Sequence, residues 1–91
     1  MGSKRWHIEY TRKAEKGLRQ LDKPVLRRIR KYTDEVIHLN DPRDRGKPLT
    51  ANKAGLWCYR IGDYRMICDI LDEQLIIVAV DFGHRSDTYD D

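Results

Sequence analysis

Ninety-one residues, with 40% hydrophobic and 36% charged side chains, allow one compact domain with a modest core and exclude a disordered chain. No apolar run approaches the ~20 residues that cross a bilayer, and no apolar stretch of secretory type follows Met1, so the expected location is the cytoplasm. The net charge of +3 conceals an asymmetry: residues 1–60 carry 16 Lys/Arg against seven Asp/Glu, and residues 61–91 carry two against eight.

Such a dipolar chain suits a polyanionic partner on one side and a basic partner on another. Two solvated helices rich in Lys and Arg would give the same count. There is no internal repeat, linker or low-complexity segment, so residues 1–91 read as a single domain. The two cysteines, Cys58 and Cys68, form no zinc-type cluster with histidine, and no structural metal is expected.

The first element is a strand. Arg5-Trp6-His7-Ile8-Glu9-Tyr10 alternates polar with apolar, which turns Trp6, Ile8 and Tyr10 inward. Thr11 is placed to cap a helix in which Ala14, Leu18 and Leu21 recur at helical spacing. Gly17 weakens that helix by about 1 kcal/mol relative to alanine.

Asp22-Lys23-Pro24 stops one helix and starts another, since proline suits a first helical turn. The second helix puts Val25, Leu26, Ile29, Tyr32, Val36 and Ile37 on one face and crowds Arg27, Arg28, Arg30 and Lys31 on the rest. Those four cations suit either RNA or plain solvent. Asn40-Asp41-Pro42 ends the helix, and residues 41–53 read as a polar loop containing Lys47 and Lys53.

From Leu56 the period becomes that of strands: 56–61, 64–71 and 74–82. The joints Gly62-Asp63 and Asp72-Glu73 are two residues long, the mark of tight hairpins. The run Leu75 to Val80 is apolar on both faces and belongs in the middle of the sheet. The expected architecture is α+β: a strand, two helices, then a three-strand antiparallel meander, forming one sheet with the helices on one face.

A two-residue Gly62-Asp63 turn fixes the register. Ile61 then faces Tyr64, Arg60 faces Arg65, Tyr59 faces Met66 and Cys58 faces Ile67. Like charges directly opposite each other destabilise an antiparallel pair, whereas a phosphate bridges two guanidiniums well. The alternative is that both arginines splay into solvent or pair with Asp69 or Asp81. The same register puts Cys58 and Cys68 on opposite faces, which forbids a disulfide between them.

After the last strand comes Gly83-His84-Arg85-Ser86-Asp87-Thr88-Tyr89, where glycine lets the chain leave the sheet. RNA cleavage by a neighbouring 2′-hydroxyl needs a base, cations around the phosphate and an acid for the leaving oxygen. His84 is a residue type that titrates near neutral pH, Arg85 suits a phosphate, and Tyr89 can donate a proton or stack on a base. A lone loop histidine is more often a bystander, and it is the neighbouring Arg85 and Tyr89 that bring the two readings level.

The order of elements, with Trp6-His7-Ile8-Glu9-Tyr10, Lys47-Pro48-Leu49, the stretch from Leu56-Trp57-Cys58-Tyr59-Arg60 through Ile61-Gly62-Asp63-Tyr64-Arg65, and Gly83-His84-Arg85 with Tyr89, resembles the RelE/ParE toxin superfamily over nearly the whole chain. The resemblance implies a RelE-like fold and a metal-independent endoribonuclease without cofactor, an mRNA interferase that cuts messenger RNA in the ribosomal A site and so halts translation. It implies a cyclic phosphate and a 5′-hydroxyl as products. Its implied partners are the ribosome, mRNA and a cognate antitoxin that wraps the toxin in a heteromeric complex, the free toxin being monomeric.

By position, Arg65, Arg85 and Tyr89 match residues of the RelE pattern, and Arg60 matches one of a pair of alternating basic residues. The other member of that pair falls at Cys58, a departure that Lys47 or Lys53 would have to offset. Two other readings stay open: a ParE-type toxin that binds DNA gyrase without cutting RNA, which the thiol at Cys58 favours, and a non-catalytic homologue acting mainly in an antitoxin repressor complex.

Overall fold

The computed structural model describes residues 5–84. In chain order it contains β1 (His7–Tyr10), α1 (Arg12–Leu18), α2 (Lys23–Ile37), β2 (Lys47–Pro48), β3 (Trp57–Ile61), β4 (Tyr64–Leu71) and β5 (Ile76–His84), with short 3-10 turns at Pro42–Asp44 and Ala51–Lys53. The α+β class and the two helices agree with the reading from sequence. The sheet differs in detail: it has five strands in the order β1-β5-β4-β3-β2, and β1 runs parallel to β5 while all other neighbours are antiparallel. No helix among the described residues is long and apolar enough to cross a membrane.

Both helices begin at the polar residues expected, although only Thr11 caps with its side chain. The Thr11 hydroxyl accepts from the backbone N–H of Ala14 at 3.2 Å and donates to the Val80 carbonyl at 3.0 Å, so one side chain caps α1 and ties it to β5. Asp22 and a proline in the first turn open α2, as proline's fixed φ favours. Ile29, Thr33 and Val36 of α2 are buried. With Ala14 of α1, Ile29 and Val36 pack on Tyr59, Ile61, Met66, Cys68, Ile77, Ala79 and Phe82. All the strand residues of that cluster lie on one sheet surface, so the helices cover a single face.

Gly17 has a packing reason that outweighs its helix propensity. A Cβ there would lie 2.5 Å from the Phe82 carbonyl oxygen. The missing side chain is what lets α1 press against the backbone of β5.

The β3–β4 joint is the two-residue turn expected, with Gly62 at φ +62°. The β4–β5 joint is longer than expected. Leu71 pairs with Ile76, so residues 72–75 form the turn and Leu75 takes φ +56°, a conformation that side chains disfavour.

The supposed polar loop 41–53 is tied along the sheet edge. The Tyr59 hydroxyl donates to the Pro42 carbonyl at 2.6 Å, and the Trp57 indole N–H donates to the Arg45 carbonyl at 2.6 Å. Arg43 grips Asp72 with two bonds of 3.0 and 2.7 Å. Gly46, at φ +80°, leaves no room for a Cβ, which would sit 2.5 Å from the Cys58 carbonyl oxygen. These ties draw Lys47–Pro48 into the sheet as β2.

Candidate functional site

The β3–β4 register is the one the two-residue turn dictates: Ile61 opposite Tyr64, Arg60 opposite Arg65, Tyr59 opposite Met66 and Cys58 opposite Ile67. Tyr59, Ile61 and Met66 belong to the helix-covered core. Alternation therefore sets Arg60 and Arg65 on the other surface. Their environments are unequal, because Arg60 is exposed whereas Arg65 is 5% exposed. One guanidinium is built into the sheet surface and its neighbour is presented to solvent.

Lys47 of β2 pairs directly with Cys58 of β3. Residues directly opposite share a face and stand roughly 4.5–5.5 Å apart at Cβ, so exposed Lys47 belongs to the arginine surface. Cys58 itself is 1% exposed and packs with Leu49 and Ile67, flanked by Leu56 and Val80. A small buried thiol thus forms apolar floor, and the neighbouring cation is carried by the edge strand. Among the described residues, no ion pair involves Lys47 or Arg60. By contrast, Lys13, Arg19, Arg43 and Arg45 are all engaged with carboxylates.

Of these, Arg43 and Arg45 make the short contacts. The Arg43 bonds hold the Asp72 carboxyl below its ordinary value, and Arg45 does the same for Glu35 at 2.7 Å. Arg45 also lies 5.5 Å over the Tyr32 ring, within cation–π range.

His84 is not where the sequence suggests. Strand β5 continues through Gly83 to His84, so this histidine is in the sheet and not in an exit loop. It pairs with Tyr64, the two rings meeting edge-on at 5.5 Å, and Tyr64 stacks on Phe82 at 5.6 Å. Tyr64 and Phe82 belong to the helix side, so His84 lies on the surface opposite Arg60 and Arg65. It borders a cleft with Lys13, Gln20, Leu21 and Asp81. The imidazole and the arginine pair share one end of the sheet but not one face, which corrects their grouping into a single cluster. Arg85 and Tyr89, the remaining candidates, lie outside the described residues.

The basic helix also divides. Arg27, Arg30 and Lys31 line an open outer surface together with Asp34, Glu35 and His38, so their charge is partly offset. Arg28 leaves the other flank of α2 and reaches the Gly62 turn. Lys53 sits in the 3-10 turn Ala51–Lys53, beyond β2. No disulfide joins Cys58 to Cys68: both are buried, on opposite faces, and burial raises the Cys68 thiol pKa.

Sequence and fold comparisons identify proteins similar to this chain. Toxin RelG of Mycobacterium tuberculosis is 29% identical over 82 residues, covering 90% of this chain and 93% of the relative. Toxin RelE of the same organism is 29% identical over 84 residues, covering 92% and 86%. Among solved structures, the toxin–antitoxin complex RelBE2 of M. tuberculosis contains a chain that matches with a TM-score of 0.79 and 26% identity, covering 90% of this chain and 93% of that one. The sequence model described as the ParE toxin of type II toxin–antitoxin systems, parDE, matches residues 8–89. With nearly its whole length inside that match, the chain belongs to the ParE toxin family of type II toxin–antitoxin systems, within the wider RelE/ParE superfamily.

Proposed function

We infer that the protein is a RelE-type toxin that cleaves messenger RNA in the ribosomal A site and is neutralised by a cognate antitoxin. The observation that carries this reading is the cross-strand pair Arg60–Arg65. Two like charges at one register position cost a hairpin stability, and a phosphodiester is the ligand that repays this arrangement through charge-assisted bonds to both guanidiniums. Lys47 on the same surface adds a third positive charge at the edge strand.

The chemistry is an in-line transfer. The 2′-oxygen attacks the adjacent phosphorus and gives up its proton, the bond from phosphorus to the 5′-oxygen breaks, and that oxygen takes a proton. The products are a 2′,3′-cyclic phosphate and a 5′-hydroxyl. Arg60, Arg65 and Lys47 neutralise the charge that grows on the non-bridging oxygens. Arg85 and Tyr89 enter through the family resemblance, Arg85 at the phosphate and Tyr89 as proton donor or stacking partner. His84 is not assigned proton transfer, because it stands on the other sheet surface. The ribosome supplies orientation of the codon, which reduces what the toxin must provide.

The similar M. tuberculosis chain is solved with an antitoxin, which supports the same kind of partner here. An antitoxin segment covering the arginine surface would block the phosphate. A second reading has its own support: the matching family model is the ParE one, and Cys58 is buried beneath Leu49, so no cation stands at that β3 position. A reconstituted translation reaction distinguishes the two. Cleavage of mRNA that requires the ribosome is the outcome of the first reading. Intact mRNA with gyrase-dependent DNA breaks is the outcome of the second.

A further inference from the structure

The tip of the β3–β4 hairpin carries a cation from outside the sheet. Gly62 stands at φ +62°, and a Cβ built on it would lie 2.7 Å from Nη1 of Arg28. The guanidinium thus occupies the space that a side chain at the turn would fill. It is held there by α2, on the helix flank that also carries Val25 and Tyr32, both packed against the core. Arg28 is nonetheless exposed.

A structural arginine at a turn is expected to have a carboxylate. Asp63 is the next residue in the turn, yet among the described residues no ion pair joins Arg28 to it or to any other carboxylate. Arg43 and Arg45, by comparison, each meet a carboxylate oxygen at 2.7 Å. A guanidinium positioned by contact but lacking a counter-ion has its charge available for a ligand. Arg60, two residues before Gly62, projects from the sheet face away from α2, so Arg28 and Arg60 flank the hairpin tip from opposite faces.

We propose that Arg28 holds the phosphate next to the one gripped by Arg60 and Arg65, so that the RNA backbone crosses the tip of the β3–β4 hairpin. The inference rests on the reading of the chain as an RNA-binding toxin and adds a residue and a path to it. Gly62 serves that path twice. It permits the turn, and it leaves the backbone bare where Arg28 and the polynucleotide approach. The other helix cations, Arg27, Arg30 and Lys31, are excluded from the path because they line the outer surface of α2 among Asp34 and Glu35.

The test is the salt dependence of binding by the full chain to ribosomes carrying mRNA with an empty A site. Each phosphate contact on a single strand contributes about 0.7 to the slope of log K against log salt. Arg28→Gln is expected to flatten the slope by about that amount and to weaken binding severalfold at low salt. Its thermal midpoint should remain that of the parent. Arg12→Gln, which removes an exposed cation of α1, should keep the parental slope. An Arg28→Gln slope equal to the parent's, or an equal loss in Arg12→Gln, overturns the proposal while leaving the toxin reading in place. A parent protein whose binding does not depend on salt overturns both.

Discussion

Arg60 and Arg65 stand opposite each other on the sheet surface that the helices leave open, one exposed and one buried. That inequality separates two roles. Arg65 is part of the surface on which the exposed guanidinium is displayed, so it contributes to stability as well as to charge. Arg60 contributes charge alone.

Alanine substitutions should expose the difference. Arg60→Ala is expected to leave unfolding free energy within about 0.5 kcal/mol of the parent, as surface changes usually do, and to lower RNA cleavage at least about tenfold, the loss of one charge-assisted bond. Arg65→Ala should lose activity similarly and also cost about 2–4 kcal/mol, because a large buried side chain is removed. Urea denaturation and a cleavage assay on the two variants check this. Equal stabilities would contradict the burial argument.

His84→Gln should keep the pH–rate profile of the parent. The imidazole contacts Tyr64 on the helix side, away from the arginine pair, and the mechanism asks no proton of it. A flattened or displaced profile would return His84 to the reacting atoms.

Gly17→Ala sets helix propensity against packing. Alanine improves an isolated helix by about 1 kcal/mol, but its Cβ meets the Phe82 carbonyl oxygen at 2.5 Å, and overpacking of this kind costs about 1–3 kcal/mol. Backbone cannot swing aside as a side chain can, so a net loss of up to about 2 kcal/mol is expected. A more stable variant would show that α1 does not press on β5.

Asp72→Asn probes the clamp on Arg43. Hydrogen bonding to Arg43 lowers the Asp72 pKa, so the folded value lies below the unfolded one. The stabilisation is therefore present above the unfolded value and fades as pH falls through the folded one. The parent should melt higher than the variant at neutral pH, and the gap should close below about pH 4. A gap that persists in acid would mean that the lost contribution is not ionic.

What could be read from the sequence follows from where the determinants are local. The Arg60–Arg65 register needed only the Gly62-Asp63 turn and the two-residue period of strands. The Thr11 cap and the α2 core face were legible for the same reason. Strand β2 was not, because Lys47–Pro48 has no alternation and is drawn in by distant groups: the Trp57 indole, the Tyr59 hydroxyl and the bare Cα of Gly46.

The parallel pairing of β1 with β5 joins the two ends of the described chain, where no short turn announces a neighbour. His84 was misplaced because Gly83 reads as an exit from the sheet, whereas it pairs with Arg65 inside it. The four-residue turn before β5 depends on Leu75 adopting φ +56°, which its residue type disfavours. Arg28 was visible only as one of four helix cations, and its distinction is the contact with Gly62.

Sequencing the 5′ ends of cellular mRNA after a brief pulse of the parent or of Arg60→Ala tests the whole reading most directly. The parent should generate new ends within translated codons, with 5′-hydroxyl chemistry, and Arg60→Ala should reduce them at least about tenfold. Unaltered mRNA in the parent, with growth arrest and broken chromosomal DNA, would contradict the assignment of these arginines to an RNA phosphate.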